Sequence, residues 1–422
     1  MQVDVFDVKK RDRYAKILIW ACFAFYTLML ASKNVYTAEI VSLMSVFKTT
    51  KAQTSLAMTY YFVVYAIVQI ILSFTMTKVN LRFYLTITGI MSALLTIMMG
   101  FAPNITTLYI LCAVNGIMQA GIYSGCMSVL AKYLPNYMLP SANRIMSMGA
   151  AFYAVLAYGV PSLFVGFGLW NVPFILLGVI FFISTIVFFL MVGKMKKFST
   201  VDTPKITKTT VVENEKPIIQ IKGKKGVAIY FTIMLTLTLF SMTGHYSVLN
   251  WIPNMLTDVY SMPESFSILI TLVGPAVSLA GSLACINLCQ KYKNLFYVGG
   301  TFMIIGTICF IPMIFAFDCN IILAVVLIII YLTMSAGARA ILSGIIAFKM
   351  RARIDSGSYL AAYNGVASVI AGVIPPLIGL LIDAFPGVQG YGVSYLFTTV
   401  FNVLFILGVF AYGYWFKKRK RS

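Results

Sequence analysis

Charge is what this sequence has little of. Asp, Glu, Lys and Arg make up only 10% of its 422 residues, against about 25% in a soluble domain. It has a single histidine, His245, and only 12 acidic residues. Hydrophobic residues reach 60% and mean hydropathy is +0.91. So much apolar surface cannot be hidden in one or two soluble cores. A soluble enzyme, a disordered chain and a nucleic-acid-binding domain are excluded, and a polytopic α-helical membrane protein remains. The seven cysteines are odd in number, lie in or at the ends of apolar runs and have no histidine neighbours. They imply neither a disulfide framework nor a metal site. No HExxH, paired intramembrane carboxylates or serine with a plausible base is present, so no catalytic centre and no cofactor are expected.

What the sequence does have is long apolar runs. Twelve spans of ~20 residues, each able to cross a bilayer, begin near Ala15, Thr54, Phe83, Thr106, Arg144, Val172, Val227, Phe266, Leu295, Ile321, Ser358 and Val393. The net charge of +20 is a topology signal. Of 32 Lys and Arg, all but Lys33, Lys48, Lys51 and Arg339 fall in the two tails, a central linker or the loops on one side. That bias predicts both termini in the cytoplasm. It also predicts contact with anionic lipid headgroups. The first apolar run is a full span behind a basic tail, not a cleavable signal peptide.

Residues 194–226 are rich in Lys, Thr and Glu and poor in aromatics, so they read as a cytoplasmic linker. This linker divides the chain into a six-helix bundle over 1–193 and another over 227–422. The expected fold is all-α, with twelve transmembrane helices in two bundles and the binding site between halves near the midplane.

Ionisable groups inside a membrane are expensive and mark function. By position in the sequence no acid sits deep in a span: Glu39, Asp258, Glu264, Asp318 and Asp383 fall at or near external ends. Three cationic candidates do lie in spans: Lys33, Arg339 and His245. A cavity with such groups and no acid favours an anion. Tyr331, Ser335, Arg339 and Ser343 recur at spacing four, so they share one polar helix face. Tyr61, Tyr65, Gln69 and Ser73 form a second such stripe, and Asn115, Gln119 and Tyr123 a third. Stripes of this kind serve either pore lining or interhelical hydrogen bonding.

Several stretches resemble the major facilitator superfamily. The loop after the second span, Ser73-Phe-Thr-Met-Thr-Lys-Val-Asn-Leu-Arg82, is similar to that family's G-x-x-x-D-R-x-G-R-R signature, with Thr77 at the Asp and Lys78 at the basic position. Gln290-Lys291 stands at the matching place in the second half. Lys33-Asn34-Val-Tyr36, the run from Gly116 to Cys126, and His245-Tyr246-Ser-Val-Leu-Asn250-Trp251-Ile-Pro253 resemble the branch of organophosphate:inorganic phosphate antiporters. In that branch two arginines bind phosphate; here Ser32 and His245 occupy their places, and Gln69 replaces a lysine. The resemblance therefore implies the fold and alternating access. The lost charges point away from a dianion.

The resulting expectation is a secondary transporter of a small organic anion, a phosphate ester or a carboxylate, working by exchange or uniport. Lys33 and Arg339 attract the anion, His245 and Gln69 hydrogen-bond it, and Ser335 is a further substrate-binding residue on the polar face of Arg339. Tyr61, Tyr65, Gln119 and Tyr123 form the wall, and Trp251 stands at a family position near the external end. A transporter-like anion sensor and a facilitator of neutral or hydrophobic compounds are the alternatives. A monomer in the plasma membrane, a bacterial inner membrane, completes the expectation.

Overall fold

The computed structural model describes residues 5–75, 79–196, 223–292, 295–315, 320–342, 356–385 and 387–419. Among them every regular element is helical. The first half contains α1 (Val5–Ala38), α2 (Ile40–Phe47), α3 (Lys51–Thr75), α4 (Leu81–Met99), α5 (Ile105–Gln119), α6 (Ile122–Tyr133), α7 (Leu139–Phe164) and α8 (Val172–Lys196). The second contains α9 (Gly223–Leu249), α10 (Ile252–Tyr260), α11 (Glu264–Thr271), α12 (Val273–Tyr292), α13 (Leu295–Phe310), α14 (Pro312–Phe315), α15 (Ile321–Ala340), α16 (Ser356–Ala384) and α17 (Val388–Arg419). The linker expected over 194–226 lies mostly outside the described residues, as do Thr77 and Lys78 of the loop signature and Ser343 and Asp318.

Ten segments among the described residues are long and apolar enough to cross a membrane. Twelve were expected from the sequence. The other two expected spans fall on α7 and α9, which have 26 and 27 residues.

Local sequence explains several helix starts. Thr50 and Gln53 form a capping box: Gln53 N–H donates to Thr50 Oγ1 at 3.2 Å and Thr50 N–H to Gln53 Oε1 at 3.1 Å. Asn104 accepts from Thr107 N–H at 2.8 Å to open α5, and Asn320 accepts from Ile322 N–H at 2.9 Å to open α15. Inside α16, Pro375 and Pro376 bring no N–H. Pro376 leaves the Gly372 carbonyl without its helical donor, and the Thr59 hydroxyl of α3 supplies one instead. The carbonyl of Pro375 accepts from Trp251 Nε1 at 3.2 Å.

The chain forms two compact units. One comprises residues 1–39 and 64–215; the other comprises 40–63 and 216–422. In the first, α1 packs on α7 and α8, and α4 on α5 and α8. Phe25 stacks on Phe188 in its core, ring centroids 4.8 Å apart. In the second, α9 packs on α16 and α17, and α15 on α12 and α13. Phe310 stacks on Tyr331 at 4.4 Å and meets Tyr395 edge-on at 4.9 Å.

Candidate functional site

The second unit gathers polar side chains around one cation. Tyr331, Ser335 and Arg339 lie one turn apart on α15, and all three are buried, Arg339 with 9% of its surface exposed. Nη1 of Arg339 donates to Ser335 Oγ at 3.2 Å. Tyr331 Oη donates to Asn402 Oδ1 of α17 at 3.3 Å. His245 and Tyr246 of α9 and Tyr363 of α16 lie within electrostatic range of the guanidinium. The His245 and Tyr246 rings meet edge-on at 5.3 Å. Nδ1 of His245 is buried and has no hydrogen-bond partner among the described residues. Three helices thus bring a guanidinium, an imidazole and several hydroxyls to one place. A guanidinium offers five donors and no acceptor, and its planar fork matches a carboxylate or phosphate edge. Away from water such charge-assisted contacts are shorter and about twice as strong as neutral ones.

The first unit contains a different polar cluster. Nε2 of Gln119 donates to Ser92 Oγ at 2.8 Å and to Ser32 Oγ at 3.1 Å. Ser92 Oγ donates to Asn115 Oδ1 at 2.6 Å, and Ser32 Oγ to the Met29 carbonyl at 2.9 Å. All four side chains are buried. This network ties α1, α4 and α5 together, so Gln119 is committed to packing within its own unit. Lys33, next to Ser32, is half-buried. Tyr26 and Tyr123 rings are 4.8 Å apart, and Tyr65 lies within electrostatic range of Tyr26. Gln69, one turn beyond Tyr65, has a buried Oε1 with no hydrogen-bond partner among the described residues. Tyr26, Tyr65 and Tyr123 are therefore close in one unit, with Gln69 a turn away on α3.

The stripe on α3 is not one surface. Tyr61 is buried in the second unit, edge-on to Phe62 at 5.2 Å. Tyr65 and Gln69 belong to the first. Trp251 is also buried, and its indole N–H is occupied by Pro375. Both residues act as packing anchors in this structure. Sequence reasoning missed Tyr246, Tyr363 and Asn402. Tyr246 adjoins His245, and Asn402 is a lone amide in an apolar run, which is the one signal each offered. Glu39, read as lying at or near an external end, is fully buried at the break between α1 and α2. Position along a span does not determine exposure when neighbouring helices cover the end.

The model of the Major Facilitator Superfamily matches residues 20–376. The chain belongs to the major facilitator superfamily. None of the curated proteins matches the sequence. The structure is similar to that of a bacterial homolog of the human lysosomal transporter Spinster, in an inward-facing and unoccupied conformation. The TM-score is 0.75 at 16% identity, covering 96% of this chain and 98% of that one. It is similar to the nucleoside transporter NupG, with TM-score 0.68 at 14% identity over 93% and 98% of the two chains. For a D-xylose-proton symporter the values are 0.71, 12%, 94% and 97%. Identities this low carry the fold alone. As a facilitator, the chain is a multi-pass membrane protein with a transporter fold, not an enzyme.

Proposed function

We propose that this facilitator is a secondary transporter of a small organic anion. The observation that carries the reading is Arg339, a buried guanidinium set among Ser335, His245 and three tyrosines. Taking an anion from water into such a place is favourable only if preoriented donors replace its hydration. The side chains around Arg339 provide them. Lys33, half-buried in the first unit, adds positive potential. Tyr65, Gln69 and Tyr123 supply a second set of hydroxyl and amide groups.

The substrate is an anion of low charge, a carboxylate or a small phosphate ester. Ser32 and His245 stand where organophosphate antiporters have arginines, so a dianion would lack its bidentate partners. In this proposal α7 and α9 complete twelve spans, with six-helix bundles over 1–193 and 227–422 and both termini in the cytoplasm. The basic linker and tails lie against anionic lipid headgroups. The protein works as a monomer in the cell membrane, a bacterial inner membrane.

Transport proceeds by exchange or uniport. Buried Glu39 favours a second reading, in which a carboxylate takes up a proton during the cycle. Proteoliposomes distinguish the two. Counterflow of a labelled monocarboxylate without a pH gradient supports exchange or uniport. Uptake only under an imposed pH gradient, abolished in Glu39→Gln, supports proton coupling. Binding and flux of neutral sugars but of no anion contradict the proposal.

A further inference from the structure

The first unit holds three tyrosines beyond the Gln119 network. Tyr26 of α1 has the α7 backbone against its ring, where a Cβ at Gly149 would stand 3.1 Å from Tyr26 Cδ1. The Tyr123 ring of α6 is 4.8 Å from it, tilted by 42°. Tyr65 of α3 lies within electrostatic range of Tyr26.

The backbone explains why Tyr123 is available. The fourth apolar run is not one helix: α5 ends at Gln119 and α6 starts at Ile122. On an unbroken helix spacing four would put Gln119 and Tyr123 on one face. Instead Gln119 is fully buried and Tyr123 is 36% exposed. A Cβ at Gly121 would stand 2.8 Å from Leu72 Cδ1, so α3 packs onto the break itself. Tyr65, Gln69 and Leu72 follow at spacings of four and three, one face of α3. The Leu72 contact therefore brings the face that holds Gln69 to the break. Irregular backbone at membrane depth is tolerated where it is buried in protein or lines a cavity.

The groups gathered here select a ligand. Phenol rings offer apolar faces, and their hydroxyls both donate and accept. Gln69 Oε1 accepts only; it is buried and has no hydrogen-bond partner among the described residues, so a donor brought to it gains a contact. No Asp or Glu occurs between Glu39 and Asp202, so α3 to α8 bring no carboxylate and a cation gains nothing. Lys33 follows Tyr26 by seven residues, two turns along the same side of α1, and helical side chains lean toward the N-terminus. A hydroxylated ring that carries a carboxylate satisfies each of these groups: its face meets the phenols, its hydroxyls donate to Gln69 and exchange hydrogen bonds with the tyrosines, and its charge lies on the Lys33 side.

We propose that Tyr26, Tyr65, Tyr123 and Gln69 form a subsite for the neutral part of the substrate, a ring bearing hydroxyl groups. The substrate class is then a hydroxylated cyclic carboxylate, not a plain aliphatic acid. The inference rests on the organic-anion reading for the carboxylate and on the first unit alone for the ring.

The test compares matched acids by titrating the melting temperature of the purified full-length protein. A dihydroxybenzoate and glucuronate are the planar and saturated hydroxylated rings, benzoate is a ring without hydroxyls, and hexanoate is a chain. At least one hydroxylated ring should bind about fivefold tighter than benzoate and hexanoate, the value of one added hydrogen bond. Which of the two does so tells a planar ring from a saturated one. Gln69→Leu should remove that advantage and leave benzoate affinity unchanged. Tyr123→Phe, which keeps the ring and takes only its hydroxyl, should reduce the advantage too and serves if Gln69→Leu does not fold. Arg339→Gln should weaken all four acids alike and leave their ratios intact. An advantage that is absent, or that survives both first-unit variants, overturns the subsite while the anion reading stands. The methyl ester of the dihydroxybenzoate separates the two the other way. Ester and acid binding equally, each weakened by Gln69→Leu, would keep the subsite and end the anion reading. No binding by any of the five compounds overturns both.

Discussion

Arg339 Nη1 donates to Ser335 Oγ at 3.2 Å, one helical turn back on the same buried face of α15. The hydroxyl fixes the plane of the guanidinium and so orients its remaining donors. Arg339→Gln should weaken anion binding by about 2 kcal/mol, roughly 30-fold in affinity. Ser335→Ala should cost about 1 kcal/mol, roughly fivefold. Arg339→Lys should fall between wild type and Gln, because it keeps charge but not the fork. Titration of the melting temperature with a monocarboxylate reads all three.

Gln119 gives the opposite expectation. Its amide is spent on Ser32 and Ser92 inside the first unit. Gln119→Leu should lower stability by about 1–2 kcal/mol while leaving anion affinity unchanged. Denaturant unfolding measures the first effect and the same titration the second. A loss of affinity at unchanged stability would put Gln119 in the binding site after all.

The Thr59 hydroxyl takes the place of the backbone donor that Pro376 lacks. Thr59→Val should therefore cost about 1 kcal/mol in the native background. In a Pro376→Ala background, where the helix can supply its own N–H to Gly372, the cost should largely vanish. A double-mutant cycle on unfolding free energy reads this coupling. Equal costs in both backgrounds would mean that the hydroxyl does not compensate for the proline.

Lys33 is only half-buried, so its contribution should be a screened, longer-range attraction. Lys33→Gln should reduce anion affinity about threefold at low ionic strength, and less at high salt. Arg339→Gln should lose affinity at both. Titrations at two salt concentrations separate the two cations. A Lys33 effect as large as that of Arg339 and independent of salt would make it a direct ligand.

Much of the fold was legible because membrane spans are written in composition. Runs of apolar residues and the absence of internal acids mark helices whatever they pack against. The polar face of Tyr331, Ser335 and Arg339 was readable for the same reason, since spacing four places them together on any helix. Partnership across helices was not readable. Gln119 and Tyr123 have the same spacing on neighbouring turns, yet one is locked in a hydrogen-bond network and the other is exposed. Tyr61 and Tyr65 are consecutive members of one stripe but lie in different compact units. The burial of Glu39 was not readable either, because hydropathy reports depth along a span, not which neighbours cover its end. Of the twelve spans expected, ten are long and apolar enough to cross a membrane among the described residues.

The central claim is that Arg339 binds an anion, and ligand-dependent thermal stabilisation of the purified protein tests it most directly. The panel holds monocarboxylates, small phosphate esters, neutral sugars and organic cations. A ligand at a hundred times its Kd should stabilise the native state by about 2.7 kcal/mol. The account predicts stabilisation by low-charge anions alone, largely abolished in Arg339→Gln and retained in Gln119→Leu. Stabilisation by neutral or cationic compounds only, undiminished in Arg339→Gln, would contradict it and leave Arg339 as a structural residue.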